Sequence, residues 1–484
     1  MSTRSTPVTY DYFRQRVRRF HRSDLVVALA REAVALHRHE FGDGPDPRLH
    51  EATAHFSLAG VAIAALRYGN DHRKPGATWN DIAELCALYV NVYEPALDQS
   101  PIDLRGLLHR MAYEQFPYQI SLMEQLGRTT ALFLGQRATC DAAPTHADWA
   151  RVLGVGLSDF TAIGFALHVA ALRGDGILSR RELASPNWAP VWSQLDTVGS
   201  FSEVAAVIDR FFCQTVDDIR DQQLGVTDEY AKWAFNPLVA KPLVELDSDR
   251  LVAPEPRLLL HRIAPTGLYF IGLDAFGAAF PDSLGCLFEA YVGAQLRSLG
   301  RGSVSPEIVF GKPEQKTVDW FLVLDELVVL VEAKAYRPIE ATRLGVGEGD
   351  DDLLSKLGKG VDQLQRTYQL LLDGRPELSH IPTDRPIVGL VVTLEPFHLA
   401  NTLIWDQALP ASDIPSAIVP IHEFEGVIGA AKDALDIEQR IQRALTPTPP
   451  SPPSLRVAVD DLEPMPNPIL DAAWARFPWM PGDE

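Results

Sequence analysis

Closely spaced cysteines are missing from this 484-residue chain. Its four cysteines, Cys86, Cys140, Cys213 and Cys286, lie far apart with no C-x-x-C among them. That excludes a dense disulfide scaffold and a cysteine-based zinc site, and the four read as reduced core residues of a cytoplasmic protein. Long apolar runs are scarce. The longest in the N-terminal half, Leu58 to Leu66, is too short to span a bilayer, so no membrane partner is expected. The opening "MSTRSTPVTYDYFRQRVRRFHR" lacks the apolar segment of a secretory signal. Basic residues are outnumbered, 44 Lys and Arg against 64 Asp and Glu, for a net charge of −20. This argues against a broad polyanion-binding surface; a nucleic-acid function would need local basic patches, metal ions or a partner. There is no P-loop, no dinucleotide fingerprint after a strand and no G-x-S-x-G elbow. "HEATAH" sets His50 and His55 five apart, not the four-residue step of the H-E-x-x-H zinc helix, so no zinc is expected there.

What is present is an ordinary globular composition, 46% hydrophobic and 22% charged, on a chain long enough for two or three domains. Residues 1–236 read as an all-α domain: "DLVVALAREAVALHRHEF" and "WNDIAELCALYVNVYEPAL" space apolar residues at helical intervals, with no fixed repeat. Texture changes near 237, where "PLVELDSDRLVAP" reads as a short hairpin opening a second, α/β domain over 237–445. Within it "PDSLGCLFEAYVGAQLRSLG" reads as a helix and "SVSPEIVFG" as a strand, followed by a hairpin over 317–335. "GVGEGDDD" reads as a mobile loop, then come a helix from Leu353 to Asp373, the strand "PIVGLVVTLEP", and a strand and helix in "SAIVPIHEFEGVIGAAKDAL". The core order is α-β-β-β-α-β. Residues 446–484 form a Pro-rich linker, "TPTPPSPPS", stiff and extended, and a docking tail with Trp474, Phe477 and Trp479.

The hairpin "VDWFLVLDELVVLVEAK" holds the chemistry. With Asp325-Glu326 as its tip, Leu324 faces Leu327 and Asp319 falls opposite Glu332. Period-two alternation puts Lys334 on the Glu332 face. Opposed carboxylates repel, and burial worsens the repulsion. A divalent cation removes it, because carboxylates and nearby carbonyls are hard oxygen ligands, while an adjacent lysine can hold an attacking water or a phosphate.

Asp319, a hairpin interval and Glu332-Ala333-Lys334 resemble the D…(D/E)-x-K motif of the PD-(D/E)XK nuclease superfamily, in residues 281–395 with an extension toward 432. Val318 stands where the superfamily often has proline. The resemblance implies a restriction-endonuclease-like αβββαβ core and a Mg²⁺-dependent nuclease, with Mn²⁺ as a substitute, acting on DNA in preference to RNA. It implies Asp319, Glu332, the Ala333 carbonyl and a helical glutamate, matched by Glu289, as metal ligands, and Lys334 as the residue that orients and helps deprotonate water. Gly285 and Gly293 flank Glu289 and leave room for close approach. Lys356, Lys359, Gln363 and Arg366 share one face of the later helix and read as a phosphate-facing stripe; the Q-x-x-x-Y signature of RecB-like members is not met. Arg14, Arg16, Arg18, Arg19 and Arg22 interleave with Tyr12, Phe13 and Phe20 as a second nucleic-acid patch or a docking surface. By analogy with bacterial defence nucleases, the helical domain would sense a protein partner or trigger, and a homo-oligomer is allowed. The alternatives are a non-catalytic interaction module on the same scaffold and an RNA-directed nuclease or toxin.

Overall fold

Apolar residues at three- and four-residue spacing coil the start of the chain into helices that share one buried face. The computed structural model describes residues 7–40, 52–73, 76–93, 104–115, 118, 122–136, 139–222, 225–311, 314–338, 343–344, 349–397, 399–402, 409–432, 434–446, 452–463 and 465–475. The chain divides into two units, Met1–Leu126 with His146–Ile271, and Gly127–Thr145 with Gly272–Glu484.

In the first unit, α1 (Tyr10–Val17) buries Phe13 and Val17. In α2 (Arg22–Glu40), Leu25, Val26, Leu29, Ala30, Ala33 and Val34 turn inward, and the helix packs on α3 (His55–Tyr68). α4 (Trp79–Val90) begins at a capping box in which Thr78 and Asp81 each accept the other's backbone N–H. α5 (Leu157–Arg173) is buried almost all round. Four short strands follow: β1 (Ile177–Ser179), β2 (Cys213–Gln214), β3 (Leu243–Glu245) and β4 (Arg250–Val252), in the order β1-β4-β3-β2. The expectation of an all-α domain ending at 236 is therefore corrected. The 243–252 hairpin is the middle of a sheet whose outer strands come from upstream, so the unit runs on to Ile271.

This unit also buries charge. His55 Nδ1 lies 2.7 Å from Oε2 of Glu255, which is fully buried, and His55 Nε2 lies 3.4 Å from Glu40 Oε1. Arg257 pairs with Glu40 in turn. Burial pulls the His55 pKa down, but the Glu255 charge and the two carboxylate hydrogen bonds outweigh it and raise it to about 9.

The second unit is built on α6 (Phe280–Ser298) and a five-stranded sheet. The chain runs through β5 (Ser303–Pro306), a small ribbon of β6 (Val309–Phe310) and β7 (Gln315–Lys316), then β8 (Trp320–Val323), β9 (Val328–Lys334), α7 (Gly349–Leu372), β10 (Ile387–Thr393), β11 (Ser416–Pro420) and α8 (Ile421–Ala431). Sheet order is β11-β10-β9-β8-β5, with β5, β8 and β9 antiparallel and β9, β10 and β11 parallel. β10 is buried along its whole length and reads as an unbroken apolar run, as a covered parallel strand must. α7 lays Leu353, Leu357, Val361 and Leu364 on the sheet. It begins at Gly349, so the acidic end of "GVGEGDDD" is helix and not loop. Residues 345–348 lie outside the described residues. "SVSPEIVFG" is not one strand either: the chain leaves β5 after Pro306 and pairs again as β6 with β7.

Residues 127–145 join this unit through a buried polar network. Arg128 makes a two-pronged pair with Glu425 of α8, with Nε to Oε1 at 2.8 Å. Tyr291 of α6 donates to the same Oε1 at 2.6 Å. Asn467, which caps α9 (Pro468–Trp474), donates to Gln295 Oε1 at 2.8 Å and to the Glu425 carbonyl at 3.1 Å. The tail thus docks within its own unit. Phe477, Trp479 and most of the Pro-rich linker lie outside the described residues. Cys140 and Cys286 are joined as a disulfide with Cα atoms 6.0 Å apart, while Cys86 and Cys213 are free and buried. Four reduced cysteines were expected. The two partners stand 146 residues apart, so only the docking of 127–145 on α6 brings them together, and the cysteine argument for a reducing compartment lapses. Among the described residues, one helical stretch, Pro265–Ser298, is long and apolar enough to cross a membrane; its α6 part packs on β5 and β9.

Candidate functional site

The β8–β9 hairpin sets the site. Trp320 pairs with Val331, Phe321 with Leu330 and Val323 with Val328, and the Leu324 N–H closes the two-residue tip on the Leu327 carbonyl at 2.8 Å. One step beyond the ladder, Asp319 comes opposite Glu332. Asp319 Oδ2 accepts the Ala333 N–H at 2.7 Å, and Lys334 Nζ lies 2.6 Å from Glu332 Oε1. Asp319, Glu332 and Lys334 therefore share the rim that the register arithmetic places them on.

The charge there is only partly compensated. Glu332 is only 5% exposed and its Oε2 has no hydrogen-bond partner. The Asp319 N–H lies near that carboxylate and favours its charge without closing a full hydrogen bond. Burial raises the pKa of Glu332, the Asp319 charge raises it further, and Lys334 only partly offsets them. Asp319 is raised by burial against the Ala333 N–H and the charge of Lys334. Glu289 on α6 belongs to the same group: burial, Asp319 and Glu307 push it up to about 7. Three acids are held above their ordinary range by burial, with the Asp319 charge adding to it at Glu289 and Glu332 and the Glu307 charge at Asp319 and Glu289, and a nearby cation would relieve them.

Among the described residues no group of three or more His, Cys, Asp and Glu side chains already surrounds a point where a metal ion could sit. The oxygen donors nearest one another at this rim are the Glu332 oxygen without a hydrogen bond and the Asp319 carboxylate, with Glu289 in the field of Asp319, and carboxylates are the donor type that a divalent cation takes.

Positioning falls to residues the sequence did not reveal in that role. Gln363 of α7 donates to the carbonyls of Lys316 at 2.7 Å and Thr317 at 2.6 Å. One turn on, the buried Thr367 accepts the Val318 N–H at 2.9 Å. Together they fix the backbone that leads into Asp319. Gln363 is thus a backbone clamp and is removed from the phosphate-facing stripe, of which Lys356, Lys359 and Arg366 stay exposed. Gly360 lets α7 approach closely, since a Cβ there would stand 2.9 Å from Val391 Cγ1 and 3.7 Å from Lys334 Cε. Room beside Glu289 is not free on both sides: Trp320 fills the Gly293 side, where a Cβ would stand 2.2 Å from the indole, whereas Gly285 faces open space. Thr393 of β10, paired with Lys334 of β9, is fully buried and its hydroxyl has no hydrogen-bond partner among the described residues. Glu307 and Lys316, 3.1 Å apart, complete the charged rim.

The N-terminal arginines lie in the first unit and are largely committed to local acids. Arg14 pairs with Asp11 and lies 5.0 Å over the Tyr68 ring, Arg16 pairs with Glu84, and Arg22 with Asp71. Arg18 and Arg19 remain exposed. Phe13 is core and not a stacking platform. No protein-family model, no curated protein and no solved structure matches this chain.

Proposed function

We propose that the second unit is a metal-dependent nuclease of the PD-(D/E)XK type, acting on DNA in preference to RNA. The observation that carries this reading is the meeting of Asp319, Glu332 and Lys334 at one end of the hairpin, with a buried Glu332 oxygen left without a partner. With the β6–β7 ribbon set aside, the element order α6-β5-β8-β9-α7-β10 agrees with the αβββαβ core that the resemblance implies, which supports the reading.

Asp319, Glu332, Glu289 and the Ala333 carbonyl would hold Mg²⁺, or Mn²⁺ in its place. A bound ion stabilises charge on the phosphate oxygens and acidifies water. The chain's own residues do the positioning. Ala333 N–H, Gln363 and Thr367 fix Asp319. Lys334, three-tenths exposed and tethered to Glu332, orients the attacking water and takes up developing negative charge.

The net charge of −20 favours a second reading, a non-catalytic interaction module on the same scaffold. Incubating the purified protein with plasmid, linear duplex, single-stranded DNA and RNA in Mg²⁺ or Mn²⁺ separates the readings. Nuclease function predicts metal-dependent cleavage of DNA. Cleavage of RNA alone supports the toxin-like alternative. Intact substrates throughout favour the interaction module.

A further inference from the structure

The rim carries a cation that the D…E-x-K pattern does not include. Lys316, in β7, has a side chain that is 59% exposed, and its Nζ sits 3.1 Å from Glu307 Oε2. Both groups lie in the field of the site: Lys316 feels Glu289 and Asp319, and Glu307 acts on the same two acids. The backbone beneath Lys316 is fixed by Gln363 on its carbonyl at 2.7 Å, and Thr317 Oγ1 accepts the Ile308 N–H at 2.9 Å. The strand, held through its carbonyl, therefore presents a long, solvated lysine that among the described residues pairs with a neighbouring carboxylate. A solvent-accessible pair of this kind is weak, so a competing anion opens it readily. A phosphodiester oxygen offers the ammonium the same kind of acceptor, and Lys binds phosphate as a point charge without demanding bidentate geometry.

We propose that Lys316 binds a phosphate of the nucleic-acid substrate at this site, and that Glu307 occupies the phosphate's place until the substrate enters. The inference rests on the nuclease reading, deepening it by naming the residue that grips the strand and the carboxylate that competes for it. The two partners then have opposite effects. Removing Lys316 removes an attraction, whereas neutralising Glu307 removes a competitor and a like-charge repulsion of the incoming phosphate. A pair that merely braces the β6–β7 ribbon responds alike to loss of either member.

The test is binding of a fluorescein-labelled DNA oligonucleotide, single-stranded and duplex, by anisotropy in Ca²⁺ to suppress cleavage. Wild type, Lys316→Gln, Glu307→Gln and the double variant are compared across a salt series. Lys316→Gln is expected to raise Kd several-fold and to reduce the salt slope by about one unit. Glu307→Gln is expected to lower Kd two- to fivefold, an order-of-magnitude expectation, and the double variant to bind like Lys316→Gln. Melting temperatures within about 2 °C of wild type show that no variant acts through unfolding. If both single variants shift Kd in the same direction, or neither shifts it, while wild type still cleaves DNA with metal, this inference falls and the nuclease reading stands. If wild type neither binds nor cleaves, both fall.

Discussion

The two units bury charge in opposite ways. In the first, His55 is 4% exposed and Glu255 fully buried, yet each charge of this cluster lies against one of opposite sign: His55 lies between Glu255 and Glu40, its Nε2 closing no hydrogen bond, and Arg257 pairs with Glu40. In the second, Glu332 is equally hidden and one of its oxygens is paired with Lys334, but it shares its rim with Asp319 and Glu289, and its other oxygen closes no hydrogen bond. Compensated burial serves stability; uncompensated burial raises the energy of the resting protein and is retained where a ligand will supply the missing charge. The contrast explains why a histidine-and-acid cluster in the first unit reads as structure, and a smaller group of acids in the second reads as a site.

The comparison breaks most visibly at Glu255. Its replacement by alanine strands a buried imidazolium and is expected to lower stability by about 3–5 kcal/mol, measured by denaturant unfolding. A change below about 1 kcal/mol would mean that the His55 circuit is not compensated as described. Next in size is the Cys140–Cys286 bridge, whose loss through Cys140→Ser is expected to cost about 2–4 kcal/mol. Thiol titration in denaturant should find only Cys86 and Cys213 reactive before reduction, and all four cysteines after it. Four reactive thiols at the outset would remove the bridge from the account.

Glu332→Gln should act with the opposite sign to Glu255→Ala. Without metal at pH 8 it removes a buried charge that Lys334 only partly offsets and is expected to stabilise the fold by about 1 kcal/mol while abolishing activity. A falling melting temperature contradicts that assignment.

The pH responses sharpen the same contrast. His55 has a folded pKa of about 9, above the ordinary histidine value of 6.5, so its stabilising effect is full below about 6.5 and is lost as pH rises through about 9. Glu289, raised to about 7 from 4.5, favours the folded state most below about 4.5, and that advantage is lost as pH rises through 7 in the absence of metal. Metal should reverse this second trend and leave the first untouched, which stability curves with and without Mg²⁺ would show.

Much of the site was legible in the sequence because a hairpin with apolar arms and a two-residue polar tip admits few registers, and the register alone brings Asp319 to Glu332. The rest was hidden for identifiable reasons. β1 and β2 are three and two residues long, too short for alternation to show, so the 243–252 hairpin lost its partners and was assigned to the wrong domain. Helical periodicity gave the face on which Gln363 lies, but not that a backbone would occupy it. Glu307 and Lys316 were obscured because Pro306 was read through as continuous strand, although a proline at a strand end is a signal that pairing changes. Cysteine spacing carried no information about Cys140 and Cys286, since a link across 146 residues is set by tertiary docking.

The most direct measurement is DNA cleavage by wild type, Asp319→Ala and Lys334→Ala side by side, with Mg²⁺ and after chelation. The account predicts cleavage that disappears on chelation and falls on the order of 10³-fold in each variant, with the melting temperature of Lys334→Ala close to wild type. Metal-dependent cleavage at undiminished rate in both variants would place the chemistry elsewhere in the chain.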